Sequence, residues 1–219
     1  SREDMDWFAK RSQDLASANV SNGFFDAEIS PLTLEDGTVV DKDDCPRAGT
    51  TLEKLASLAP AFRPDGQVTA GNACPLNDGA AAVLVMSDTK AKALGLTPLA
   101  RFISSGVSSL NPEIMGLGPV EACRQALRRA GMSIDDIDLV EINEAFAIVA
   151  EKFIRDLKLD PEKVNVNGGA MALGHPIAAT GSILIGTVLD ELERRDLTTG
   201  LITMCTGGGM APAIIIERI

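Results

Sequence analysis

The hydrophobic pattern of this chain changes character near residue 68. Before that point, Met5, Phe8, Ala9, Leu15 and Ala16 recur at helical spacing behind Ser1-Arg2-Glu3-Asp4, which approximates a capping box. Leu32 and Leu34 flank Thr33 ahead of Asp36-Gly37 and Val39-Val40, the pattern of a hairpin. Residues 41 to 66, rich in Asp, Pro and Gly, read as loop, broken by a short helix near 51–58. Nothing in these first 66 residues resembles a strong independent core.

Beyond residue 68, Ala80 to Met86 is an unbroken apolar run of strand length, which predicts a strand buried on both faces. Leu99 to Val107 is a second strand. Pro119 to Ala130 is an amphipathic helix with Val120, Cys123, Ala126, Leu127 and Ala130 on one face, a proline near its start and Gly131 just past its end. Asp138 to Ile142 reads as strand, and Glu144 to Leu157 as helix with Phe146, Val149, Ala150, Phe153 and Leu157 inward. Val164 to Val166 is a short strand. Thr180 to Arg195 is a helix supported outside by Asp190–Arg194 and Glu191–Arg195 pairs. Leu201 to Cys205 and Ala213 to Glu217 are strands joined by a glycine run. The alternation predicts a layered α/β domain from about residue 96 onward, without internal repeats.

Composition narrows the class. The chain has 219 residues, 45% hydrophobic and 23% charged, ordinary for a globular protein with one or two domains. A net charge of −11 opposes steering toward nucleic acid or an anionic membrane. No apolar run reaches the ~18–20 residues of a membrane span, and no signal-peptide pattern opens the chain. Cys45, Cys74, Cys123 and Cys205 lack C-x-x-C spacing, and with one histidine they do not suggest a zinc site; no metal is expected. Scattered thiols point to a reducing compartment: the cytoplasm, or an organelle in a eukaryote. The start at Ser1, without Met, is read as the mark of a fragment or processed product.

The chemistry concentrates late in the chain. His175 is the only histidine, set between Asn165-Val166-Asn167-Gly168-Gly169, Gly174 and Pro176-Ile177-Ala178-Ala179-Thr180-Gly181. A lone histidine in a turn is ordinarily a satisfied polar group. Here the glycines and the helix start near Thr180, whose dipole would keep the ring neutral, favour a general base. Cys205 ends an apolar strand and opens onto Gly207-Gly208-Gly209, whose N–H groups can lower a thiol pKa or form an oxyanion hole. Asn143, in Glu141-Ile142-Asn143-Glu144-Ala145-Phe146, is read by itself as a helix N-cap; the alternative is an amide that holds a water or substrate oxygen. Glu144 is by default a favourable first-turn acid. Arg47 in an acidic loop is by default a solvated arginine, with phosphate binding as the alternative. Cys74 lies in a glycine- and asparagine-rich turn, and Cys123 on the apolar face of its helix, in the core.

Together these segments resemble the thiolases, which cleave or condense 3-ketoacyl-CoA thioesters. Five motifs carry the resemblance: Gly71-Asn72-Ala73 to Asn77-Asp78-Gly79-Ala80-Ala81, Met115-Gly116-Leu117-Gly118-Pro119, Asn143-Glu144-Ala145-Phe146, Asn165-Val166-Asn167-Gly168-Gly169 with Gly174-His175-Pro176, and Cys205-Thr206-Gly207-Gly208-Gly209. They cover nearly the whole chain and favour the 3-ketoacyl-CoA thiolase (acyltransferase) branch. The resemblance implies a thiolase-like α/β fold, the C-terminal portion of a five-layered αβαβα architecture. Residues 1–67 would be the end of a loop domain, 68–95 the last strand region of an N-terminal thiolase domain, and 96–219 the C-terminal thiolase domain.

It also implies roles. His175 would activate a nucleophilic cysteine and, with a water on Asn143, form one oxyanion hole. Cys205 would move the proton at the α-carbon, and the Gly207 N–H would serve a second hole. Arg47 would meet the CoA nucleotide, Ala73 and Cys74 its pantetheine, and Phe146 would line the tunnel. Coenzyme A enters as substrate, with no bound cofactor. The nucleophile belongs to an N-terminal segment in a Cys-x-Ser-Gly-like setting that these residues lack, so the chain by itself is expected to be inactive and to need an N-terminal thiolase half. A homodimer or tetramer, or a fatty-acid oxidation complex, is the implied assembly. Cys74-Pro75 and Ala178 replace frequent Ser-Gly and Gly, departures beside the pantetheine stretch and beside His175. The alternatives are a ketoacyl-synthase-like condensing enzyme, an acetoacetyl-CoA-forming biosynthetic thiolase and a non-catalytic CoA- or lipid-binding remnant.

Overall fold

A computed structural model describes residues 1–219. In chain order its elements are α1 (Arg2–Ser21), β1 (Leu32–Thr33), β2 (Val39–Val40), α2 (Leu52–Ala56), α3 (Asp88–Leu94), β3 (Ala100–Ser109), α4 (Gly118–Ala130), β4 (Leu139–Ile142), α5 (Ala147–Leu157), α6 (Ala170–Leu173), α7 (Thr180–Arg195), β5 (Thr199–Thr203) and β6 (Met210–Arg218). They form two compact units. One holds Ser1–Asn77, Glu144–Ala147 and Val166–His175; the other holds Asp78–Asn143, Ile148–Asn165 and Pro176–Ile219.

The first unit is organised on α1. Ser1 caps it as the sequence predicts, its hydroxyl accepting the Asp4 N–H while the Asp4 carboxylate answers the N-cap. The buried face carries Met5, Phe8, Ala9, Ser12, Gln13 and Ala16. The predicted hairpin forms with Leu32 opposite Val40, turned at Gly37.

The second unit is a four-stranded sheet in the order β3-β6-β5-β4. Only β4 and β5 are parallel; β6 runs antiparallel to both β5 and β3. Ile142, Leu201 and Ile215 are fully buried in the sheet, as are Cys123 of α4 and Val188 and Leu192 of α7, the last two lying against Gly200 of β5. Small polar residues of β3 tie α4 down: the Ser104 and Ser108 hydroxyls donate to the carbonyls of Ala126 and Gly118 at 2.8 and 2.7 Å. α4 ends at Gly131, at φ 68°, as predicted.

Four expectations need correction. Residues 80–86 form no strand, and 80–85 are exposed, Leu84 by 76% and Val85 by 82%. A strand persists only where a neighbour satisfies its backbone N–H and C=O groups, and no strand of this chain pairs with this run. The helix predicted from Glu144 begins at Ala147, because residues 144–146 lie extended beside residues 73–74. Val164 and Val166 make only isolated bridges, to Val140 and Gly168. At the end of α7, Arg194 joins Arg195 on the buried Glu191 rather than pairing with Asp190, since two guanidinium groups offset the cost of a buried carboxylate. No helix is long and apolar enough to cross a membrane.

Candidate active site

In the second unit, the candidates sit at the ends of β4 and β5. Ile142 is level with Thr203 across this parallel pair, so both chains leave the sheet on the same side. In open α/β sheets the crevice beyond such carboxyl ends is where ligands bind. Asn143 is the first residue past β4, fully buried, and its N–H donates to the Thr203 carbonyl at 3.0 Å. The free edge of β4 is gripped as well. The Asn165 amide accepts from the Ile142 N–H and donates to the Ile142 C=O, both at 2.8 Å. This places Asn165 in the left-handed region at φ 45°, which asparagine tolerates better than most residues. Asn143 is therefore held by strand contacts; with α5 starting four residues later, it is not an N-cap.

Cys205 lies two residues past β5, with 5% of its surface exposed. Burial pushes its thiol up, although its own backbone N–H works the other way. Of the two readings of the glycine N–H groups, a lowered thiol pKa and an oxyanion hole, the first is not met, desolvation of the thiolate being the larger effect. Beyond it the chain turns back, Thr206 N–H donating to the Met210 carbonyl at 2.8 Å. Gly208 and Gly209 take φ 86° and 85°. A Cβ on Gly207 would meet nothing within 4 Å, so open space lies beside that residue. On Gly209 it would be driven into the Leu110 carbonyl oxygen.

In the first unit, Arg47, Ala73, Cys74, Phe146 and His175 are linked by a continuous set of hydrogen bonds and packed neighbours. Residues 72–74 run antiparallel to 145–147. The Cys74 N–H donates to Ala145 at 3.1 Å, the Ala147 N–H to Asn72 at 2.9 Å, and Ala73 bridges Phe146. The Phe146 ring meets Phe62 edge to face at 6.1 Å. Buried Asn72 fixes this strip, accepting the Thr69 N–H at 2.8 Å and donating to Asp6 Oδ1 at 2.9 Å, with Arg2 on the other Asp6 oxygen. At the end of the strip, Asn77 Oδ1 accepts the His175 N–H at 2.7 Å.

Half-buried His175 has its pKa lowered by desolvation, so the ring is neutral at neutral pH. Neutrality was expected, and burial of the ring favours it. The approach to His175 runs through α6, whose N-terminal end is held from outside. Ser12 Oγ accepts the Gly169 N–H at 3.0 Å and donates to Glu144 Oε2 at 2.6 Å, and that carboxylate accepts the Met171 N–H at 3.2 Å. Glu144 is therefore a buried acceptor for α6, not a first-turn acid of α5. Gly174, at φ 99°, completes the turn into His175 against the Asn77 side chain. Arg47 is exposed, its N–H donating to Gln13 Oε1 at 2.7 Å. Asn77 and Asn165 were visible to sequence reasoning inside motifs; Ser12 and Gln13 carry no local signal. No group of three or more His, Cys, Asp and Glu residues is placed to hold a metal ion.

Comparison with known proteins decides the family. Residues 96–218 match the model of the thiolase C-terminal domain, and residues 1–89 that of the thiolase N-terminal domain. The chain belongs to the thiolase family. This thiolase chain is similar to acetyl-CoA acetyltransferase of Paracoccus denitrificans, 52% identical over 221 residues that take in 100% of this chain and 56% of that protein. The acetyl-CoA acetyltransferase of Rhizobium meliloti is 49% identical with the same coverage. The crystal structure of the Bacillus anthracis acetyl-CoA acetyltransferase superposes with a TM-score of 0.97 at 47% identity, covering 100% of this chain and 56% of that one. The chain thus spans about half the length of the relatives it matches. The fold is that of a thiolase, the C-terminal portion of its α/β architecture.

Proposed function

We propose that this chain carries the acid–base half of a CoA-dependent acyltransferase site. The enzyme would cleave 3-ketoacyl-CoA with CoA, or condense acyl-CoA units, through a cysteine supplied by an N-terminal thiolase half. The observation that carries the reading is the opposite pKa displacement of two groups in family motifs, half-buried His175 and buried Cys205: an imidazole held neutral and a thiol held protonated at neutral pH. A general base and a general acid must start in those states. The similar proteins are acetyl-CoA acetyltransferases by name, which supports acetyl transfer.

In the thiolysis direction, His175 takes the proton of the nucleophilic cysteine, whose thiolate attacks the 3-keto carbon. The C2–C3 bond breaks, and the electron pair left on C2 takes the Cys205 Sγ proton, releasing acetyl-CoA. The imidazolium gives its proton to solvent and the Cys205 thiolate regains one from it. The neutral imidazole then takes the CoA thiol proton as the CoA sulfur attacks the acyl-cysteine, and passes it to the departing cysteine thiolate. Asn143, through a held water, and the Gly207 N–H would stabilise the two developing oxyanions, a contribution of about 3 kcal/mol per donor in comparable sites. Arg47 would meet the nucleotide phosphates, and Ala73, Cys74 and Phe146 the pantetheine.

The pH dependence follows from the signs. His175 is lowered below the ordinary imidazole value of about 6.5, and Cys205 raised above the ordinary thiol value of about 8.5. Activity of the assembled enzyme is lost only as pH falls below about 6.5, when His175 protonates, and only as it rises past about 8.5, when Cys205 ionises. A kcat/KM profile with a plateau narrower than that interval contradicts this assignment.

Exposed Leu84 and Val85 support an N-terminal half as partner, since an apolar run with unpaired backbone is a ready site for strand addition. The chain alone is expected to self-associate and to show no thiolysis of acetoacetyl-CoA, assayed with sequence-verified material. Calorimetry with acetyl-CoA separates the alternatives: binding without acyl transfer after an N-terminal thiolase segment is supplied identifies a binding remnant, and turnover by the chain alone refutes the division of labour.

A further inference from the structure

Gln13 lies on the buried face of α1, with 7% of its surface exposed, far in sequence from every motif of the site. Its one amide joins two separate segments. Oε1 accepts the Arg47 N–H at 2.7 Å, and Nε2 donates to the Met171 carbonyl at 3.1 Å. Met171 belongs to α6, the short helix that ends at Leu173 and runs through Gly174 into His175. Its own N–H is taken by Glu144, so Gln13 supplies the outward partner for the carbonyl of the same residue. The other end of the amide holds the main chain of the exposed arginine at a tight turn, where the Thr50 hydroxyl also donates to the Arg47 carbonyl at 2.8 Å. An amide of this kind is the neutral group that can accept from one segment and donate to another at the same time.

We infer that Gln13 is a positioning residue that couples the arginine loop to the histidine-bearing segment, so that occupancy at Arg47 by the phosphates of a CoA nucleotide is felt at His175. The inference rests on the proposed reading of Arg47 as a CoA contact. The coupling itself is a property of the first unit and is measurable without ligand. A buried hydrogen bond of this type contributes a factor of about 2 to 10 in an equilibrium, and two links ending in one side chain are broken together when the amide is removed.

The test uses the intact chain and three observables: amide hydrogen exchange at Arg47, the Cε1–H resonance of the sole histidine, and CoA affinity by calorimetry. Gln13→Leu keeps the volume and removes both links. Gln13→Glu keeps an acceptor for the Arg47 N–H and removes the donor to Met171. In Gln13→Leu, Arg47 exchange is expected to rise about tenfold, the His175 resonance to move, and CoA to bind about tenfold more weakly. In Gln13→Glu, Arg47 protection persists while the His175 resonance still moves and no longer responds to CoA. A loss of helical dichroism in the leucine variant transfers the test to the glutamate variant. Unchanged His175 and Arg47 signals in a folded variant overturn the coupling. If the His175 and Arg47 signals change on substitution of Gln13 but the wild-type chain binds no CoA, the coupling stands and the reading of Arg47 is refuted.

Discussion

Gly209→Ala is expected to lower the stability of the second unit by about 4 kcal/mol, the largest loss from a single added methyl in this site. Two costs combine. Gly209 sits at φ 85°, where an alanine pays about 1–2 kcal/mol. Its Cβ would be forced onto the Leu110 carbonyl oxygen, and overpacking against a backbone atom adds about 1–3 kcal/mol. The residue cannot step away, because its own carbonyl accepts the Leu110 N–H at 2.9 Å. Since this turn connects Cys205 to β6, strain there also displaces the thiol. Gly207→Ala is the matched control: its Cβ meets nothing within 4 Å, so the melting curve is expected to stay within about 1 kcal/mol of the parent. Urea unfolding of both variants checks the pair, and equal losses contradict the account of the turn.

Cys205→Ala is expected to separate two halves of the reaction in the enzyme assembled with an N-terminal thiolase segment. Cys205 is assigned only to proton movement at the α-carbon. On the proposed reading, acyl transfer onto the nucleophile uses His175 and the oxyanion donors and does not use this thiol. The variant therefore retains acylation of the nucleophilic cysteine by acetyl-CoA, detectable as a mass increase, and loses carbon–carbon cleavage by about 10³-fold or more, within the range of a positioned acid–base group. Cys205 is small and its substitution by alanine creates little empty space, so folding is expected to persist. Loss of both steps together would assign Cys205 to the nucleophile's own activation instead.

Legibility in the sequence followed how local the determining physics is. The capping box at Ser1, Gly131 after α4 and the glycine run after Cys205 are local signals, and each element stands where its signal predicts. The run from Ala80 to Met86 misled for the opposite reason: its composition specifies a strand, but a strand also requires a neighbour, which the composition does not contain. Glu144 misled because its partners, Ser12 and Met171, are separated from it by 132 and 27 positions. The same distance hides Gln13, whose importance lies wholly in what it touches. A neutral His175 was expected from a helix terminus, and burial lowers its pKa. For Cys205 the glycine donors offered two readings, a lowered thiol pKa or an oxyanion hole, and burial raises the thiol, which the first reading did not anticipate.

The account turns on His175 being an uncharged base that senses the thioester, and the chain offers a direct reading because it has one histidine. A proton NMR titration of the imidazole, repeated with acetyl-CoA, is expected to give a midpoint below about 6.5 and a resonance displaced by the ligand. A midpoint at or above that value, with no response to saturating acetyl-CoA, contradicts it.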